Sequence, residues 1–110
     1  MLSAKQIWRT QLAEKVIVAK EPEPHWDAKM RIFHHFILMP EGYQLTLEWI
    51  ARTVYQNDSK HTLQMVEDVL RDMLLHGIFA TKTELPCVFY RVHPEMRVVF
   101  ESIKNEATYH

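Results

Sequence analysis

Thr46 to Ile78 reads TLEWIARTVYQNDSKHTLQMVEDVLRDMLLHGI, and the fold turns on this stretch. Leu47, Ile50, Ala51 and Val54 repeat at helical spacing, which predicts a short helix over about 47–56 with Thr46 as its N-cap. Asn57-Asp58-Ser59 is a polar turn containing two good N-caps. A longer helix is expected over about 60–76, with Leu63, Val66, Leu70, Met73 and Leu74 on one stripe and Val69 at its edge. Met65 and Leu75 lie off that stripe; they can meet a partner or a second layer of the same domain, and the second layer is the favoured reading. Gly77 stands where a left-handed residue closes a helix.

Downstream the period changes. Residues 78–82 and 87–92 are rich in aromatic and β-branched side chains, and Thr83-Glu84-Leu85-Pro86 separates them, so a β-hairpin is expected. Pro94 suits the first position of a last helix, about 94–106, with Met96, Val99, Phe100, Ile103 and Ala107 on one stripe. Upstream, Asp27 is the expected N-cap of a helix over about 27–39, whose broad apolar arc holds Trp26, Met30, Ile32, Phe33, Phe36 and Ile37. Pro40 ends that helix and Glu41-Gly42 makes the turn. Glu21-Pro22-Glu23-Pro24 disfavours helix and reads as an extended linker. Before it, Ser3 to Gln6 is a capping-box pattern, and Trp8, Leu12, Val16 and Ala19 predict an amphipathic helix over about 4–19.

The fold class expected is therefore α+β and mostly helical. Its parts are an N-terminal helix (1–20), a Pro-rich linker (21–26), a central domain (27–93) and a C-terminal helix (94–110). A chain of 110 residues is long enough for one self-sufficient core. Its formal net charge of −1 argues against a strongly basic nucleic-acid or membrane-surface binder. One cysteine, Cys87, excludes an internal disulfide and fits a reducing compartment; a buried, small-hydrophobe role is expected for it. No apolar run reaches the ~20 residues of a membrane-spanning helix, and the charges at Lys5, Arg9 and Glu14 argue against a signal peptide, so a cytoplasmic protein is expected.

The residues from Asp27 to Val92 carry a resemblance. Leu47-x-x-Ile50-Ala51-x-x-Val54, the Asn57-Asp58-Ser59 turn, the Leu63 stripe and Gly77-Ile78 before a hairpin resemble the winged helix-turn-helix. With a further helix at each end, the whole looks like small dimeric bacterial or phage transcriptional regulators of the multiple-antibiotic-resistance and phenolic-acid-regulator kind. That resemblance implies double-stranded DNA as partner and helix 60–76 in the major groove. Carried over by position, Lys60, His61, Gln64, Asp68 and Arg71 face the bases, while Ser59 and Thr62 meet phosphates at the helix N-terminus. In the wing, Lys82 is the leading phosphate contact, with Arg91 behind it.

Charge placement supports a competing expectation. Residues 41–77 hold three basic groups (Arg52, Lys60, Arg71) against six acidic ones (Glu41, Glu48, Asp58, Glu67, Asp68, Asp72). Phosphate neutralisation supplies most non-specific affinity, so an acidic segment, with Asp68 facing the groove, favours a protein-binding winged helix without DNA. The first and last helices each bring an extra apolar face. Those faces can pack on the same chain or form an isologous dimer interface, and a homodimer through Trp8, Leu12, Val99, Phe100 and Ile103 is expected. The seven histidines lack ligand spacing and are read as exposed or edge residues, so no metal or cofactor is expected. No phosphate loop, nucleophile elbow or His-Glu-x-x-His appears, and no enzymatic activity is expected.

Overall fold

The computed structural model describes Gln6, Trp8 and residues 25–108, with side chains to Ile103. Among these residues the architecture is α+β, with four helices and one antiparallel pair of strands. The elements are α1 (Trp26–Ile37), α2 (Leu47–Tyr55), α3 (Lys60–Leu75), β1 (Phe79–Glu84), β2 (Cys87–Val92) and α4 (Pro94–Thr108). Gln6 and Trp8 are helical, and the rest of the expected helix over 4–19, with Leu12, lies outside the described residues.

Helix α1 starts one residue earlier than expected. Its N-cap is His25, in the left-handed region at φ 57°, and not Asp27, which sits exposed in the first turn. An acidic group there complements the positive end of the helix dipole. Trp26 therefore belongs to the helix and not to the linker. The helix stops at Ile37, two residues short of the expected end, because Pro40 excludes helix from the residue before it and the last turn unwinds ahead of that. Arg97 donates to the carbonyls of Phe36 and Met39, so a side chain from α4 adds to the backbone bonds that close this terminus.

Helix α2 is capped as expected: Thr46 Oγ1 accepts from the Trp49 N–H. Its far end turns on Gln56, left-handed at φ 51°, one residue before the expected turn. Asn57 Oδ1 then accepts from the Ser59 N–H, and Ser59 Oγ accepts from the Thr62 N–H to start α3. At the other end of α3 the Gly77 N–H donates to Leu74 and the Ile78 N–H to Met73, with Gly77 at φ 72°. This crossed pair is a Schellman closure.

The strands pair from Phe79↔Val92 to Glu84↔Cys87. Thr83 and Glu84, expected in the connection, continue β1, and only Leu85 and Pro86 form the turn; the Leu85–Pro86 bond is cis. Ile78, expected in the first strand, precedes it and is buried under the helices. A further bridge was not anticipated. Leu45, between α1 and α2, exchanges both backbone hydrogen bonds with Tyr90 of β2, at 3.1 and 2.7 Å.

One core binds these parts. Ile32, Phe33, Phe36, Ile50, Ala51, Val66, Val69, Leu70, Met73, Ile78, Phe79, Val92 and Met96 are all buried, drawn from every described element except the far half of the hairpin. Phe36 meets Phe79 and Tyr43 edge to face at 5.0 and 5.3 Å. The buried line of α3 runs through Thr62, Val66, Val69, Leu70 and Met73, with Leu63 and Leu74 half-buried beside it. The expected stripe is thus rotated so that Val69 is central and not marginal. Leu75 meets no second layer: it is 79% exposed, while Met65 does pack against the core. Cys87 is exposed and not a buried hydrophobe, because the far end of the hairpin extends beyond the helices.

Candidate nucleic-acid interface

The outward face of α3 is built by the cap at its start and the core stripe behind it. With Val66, Val69, Leu70 and Met73 turned inward, helical geometry sends Lys60, His61, Gln64, Asp68 and Arg71 outward, and all five are exposed. They form one continuous strip. Ser59 and Thr62 are used differently. Ser59 Oγ caps the helix and lies 3.1 Å from Thr62 Oγ1, and Thr62 is only 8% exposed. Both hydroxyls are spent on the turn, so the expectation that Thr62 meets phosphate is corrected by its burial.

The strip is largely self-neutralised. Arg71 pairs with Glu67 at 3.2 Å and Asp68 at 3.7 Å, and Gln64 donates to Asp68 at 3.0 Å. Lys82, on the exposed hairpin, pairs with Glu84 at 3.0 Å. Arg52 pairs with Asp58 at 2.8 Å at the helix-turn. That hydrogen bond, and then the guanidinium charge, hold the Asp58 carboxyl below the ordinary carboxylate range. Among the described residues Lys60 forms no ion pair, and it is the first residue of the helix. Exposed pairs are individually weak, so a phosphate or another charged partner can displace them at small cost.

The hairpin stands beside this strip. Tyr90 of β2 is half-buried, and burial, followed by the charges of Glu67 and Glu48, raises its phenol above the ordinary value. The Leu45–Tyr90 bridge sets β2 beside the start of α2. Thr46, Leu47, Glu48, Pro86, Val88 and Tyr90 line a shallow groove of about 360 Å³ there. Trp49, on the neighbouring turn of α2, is 54% exposed and lies under the Arg52 guanidinium at 5.3 Å. Arg91 is not a contact behind Lys82. It pairs with Ala80 near the base of the hairpin, where it is half-buried and away from the tip.

The residues expected at a dimer interface are divided. Trp8 is fully buried within its own chain, 4.9 Å from Trp26 and 5.1 Å from Phe33 between ring centres, so its indole fills the core and does not line a surface. Leu12 lies outside the described residues. Val99, Phe100 and Ile103 are half-buried on α4, with Phe100 reaching the Phe33 ring at 6.3 Å.

Lys29 is the residue the sequence pattern missed. It is fully buried on the apolar arc of α1 and its Nζ bonds Asp72 of α3, which lies 4.0 Å from His76 Nδ1. Its position, three residues after Trp26 and four before Phe33, was the available signal: a charge on that arc must find a partner inside. Among the described residues no group of three His, Cys, Asp or Glu side chains is placed to hold a metal ion, and no helix is long and apolar enough to cross a membrane. No protein-family model, no curated protein and no solved structure matches this chain.

Proposed function

We propose that this chain is a winged helix-turn-helix protein that binds double-stranded DNA as a homodimer, with α3 in the major groove. The carrying observation is connectivity: α1, an edge at Leu45, α2, α3 and then the hairpin, with Leu45 paired to Tyr90 as a third strand position. In this arrangement the second helix of the motif meets base edges through its N-terminal half while the hairpin lies on the backbone. Lys60, His61 and Gln64 are exposed polar groups on that half, Arg71 follows further along the same strip, and Lys82 is an exposed cation of the hairpin. Gln64 is suited to adenine, and Arg71 to guanine once it leaves Glu67 and Asp68. The outward side of α4, where Val98 is 69% exposed beside half-buried Val99, supports an isologous dimer.

Selection from a random duplex library, followed by anisotropy across a salt series, tests this. A selected duplex is expected, with affinity falling as salt rises, and Lys60→Ala should reduce the salt slope by about one phosphate contact. Retention of no duplex, or a salt-independent affinity, overturns it.

A second reading rests on the carboxylates of the same strip. Glu67 and Asp68 hold Arg71 and Gln64, which suits a protein partner with basic groups better than a polyanion. Asp68→Arg separates the two. On the DNA reading it raises duplex affinity; on the protein reading it abolishes a co-purifying partner and leaves duplex binding absent.

A further inference from the structure

On the side of the hairpin where Arg91 lies, a cavity of about 240 Å³ opens between the turn after α1, the base of β2 and the start of α4. Glu41, Tyr43, Arg91, Pro94 and Arg97 are among its lining residues. The charge balance is unusual. Among the described residues neither arginine forms an ion pair, although Glu41 also lines the cavity, so two guanidiniums stand against one carboxylate and the described lining carries a net charge of +1. This contrasts with Arg52 and Arg71, each of which is held by a neighbouring carboxylate.

The two arginines are positioned in different ways. Arg97 is fixed by the end of α1, where one of its Nη groups donates to Met39 and Phe36 at 3.3 and 3.5 Å. Arg91 is fixed by the β-ladder opposite Ala80; its Nε is buried and has no hydrogen-bond partner among the described residues, and the half-buried side chain lines the cavity. The paired N–H groups of a guanidinium match two oxygens of a carboxylate or phosphate. The mouth is open at the turn: Gly42 is left-handed at φ 89°, and no atom lies within 4 Å of where a Cβ would stand. Tyr43 is kept in place by its hydroxyl, 3.1 Å from His35 Nε2, so one wall is a fixed aromatic ring.

We propose that this cavity binds the oxyanion group of a small metabolite, gripped by the guanidinium groups of Arg91 and Arg97. The volume suits a compact ligand and not a polymer. The site shares no residue with the outward strip of α3, so the inference stands whether or not that strip meets DNA.

The test uses the full chain and two probes, inorganic phosphate and acetate, titrated at constant ionic strength against chloride. The Nε–Hε resonance of Arg91 in a proton–nitrogen spectrum is the readout. A saturable shift in the millimolar range or tighter is expected with at least one probe, together with a raised thermal midpoint. Arg97→Gln should weaken it by about tenfold, as for loss of one charge-assisted bond, and Arg91→Gln should abolish the midpoint rise. Phosphate alone would assign a phosphoryl ligand, and both probes a general oxyanion site. The proposal is overturned by a shift no larger than chloride produces, or by an unchanged dissociation constant in Arg97→Gln. Should Arg91→Gln lose its dispersed spectrum, the wild-type titration and Arg97→Gln still decide.

Discussion

At the scale of single residues, the Lys29–Asp72 pair links α1 to α3, with the lysine fully buried and the aspartate partly exposed. Removing the carboxylate leaves an ammonium in the core with less compensation than it had. Replacing the lysine by a hydrophobe of similar length removes the desolvation cost as well as the attraction. Asp72→Ala is therefore expected to destabilise by about 3 kcal/mol, the low end for a broken buried pair because Asp72 is partly exposed, and Lys29→Met by clearly less. Denaturant midpoints of the two variants check the asymmetry. Asp58 gives a pH signature of its own. Its pKa is depressed by the Arg52 hydrogen bond, so the pair's contribution is present above the ordinary aspartate range and is lost as pH falls through the folded value. A carbon-detected titration should place the Asp58 carboxyl below a free aspartate, and Arg52→Ala should return it to the ordinary range.

At the scale of elements, α3 is delimited by chemistry that its own sequence carries. Ser59 caps one end and Gly77 closes the other in the left-handed region. Ser59→Ala should cost about 1 kcal/mol. Gly77→Ala should cost about 1–2 kcal/mol, because an added Cβ crowds the carbonyl at positive φ. Thermal unfolding of both variants is the measurement, and an unaffected Gly77→Ala would contradict the closure. These ends, like Thr46 for α2 and Pro94 for α4, were legible because capping is local. The start of α1 was not. His25 is held left-handed and the helix begins at Trp26, whose ring lies against Trp8 from a distant part of the chain. Local capping preference at Asp27 was overridden by packing that no short window contains.

At the scale of the whole molecule, the fate of Trp8 separates core from surface. Its indole sits between Trp26 and Phe33 with no exposed area. Trp8→Ala is expected to cost about 3–5 kcal/mol, the range for emptying an aromatic site, without altering the mass in solution at native conditions. The dimer proposed through α4 behaves oppositely. Val98→Glu, at a 69% exposed position, should leave stability nearly unchanged and bring the mass by sedimentation equilibrium down to the 13.2 kDa of one chain. A wild-type chain already at that mass would contradict the dimer.

The sequence by itself determined the kinds and order of the elements. Periodicity, caps, prolines and the two glycines at 42 and 77 are short-range signals, and α2, α3, the hairpin and α4 follow from them with their ends shifted by a residue or two. It also determined which side of α3 faces outward, since a helix with one apolar stripe has one polar face. What that face is worth lay in the same local spacing: Arg71, Gln64 and Lys82 were counted as available, yet each is engaged by a carboxylate two to four residues away on its own element. Only the folded chain joins Leu45 to Tyr90, Lys29 to Asp72, and Arg91 to the cavity it shares with Arg97. The physical reason is common to all of these. Pairing and burial depend on distances between segments far apart in sequence, and residue spacing fixes such distances only within one helix or one hairpin.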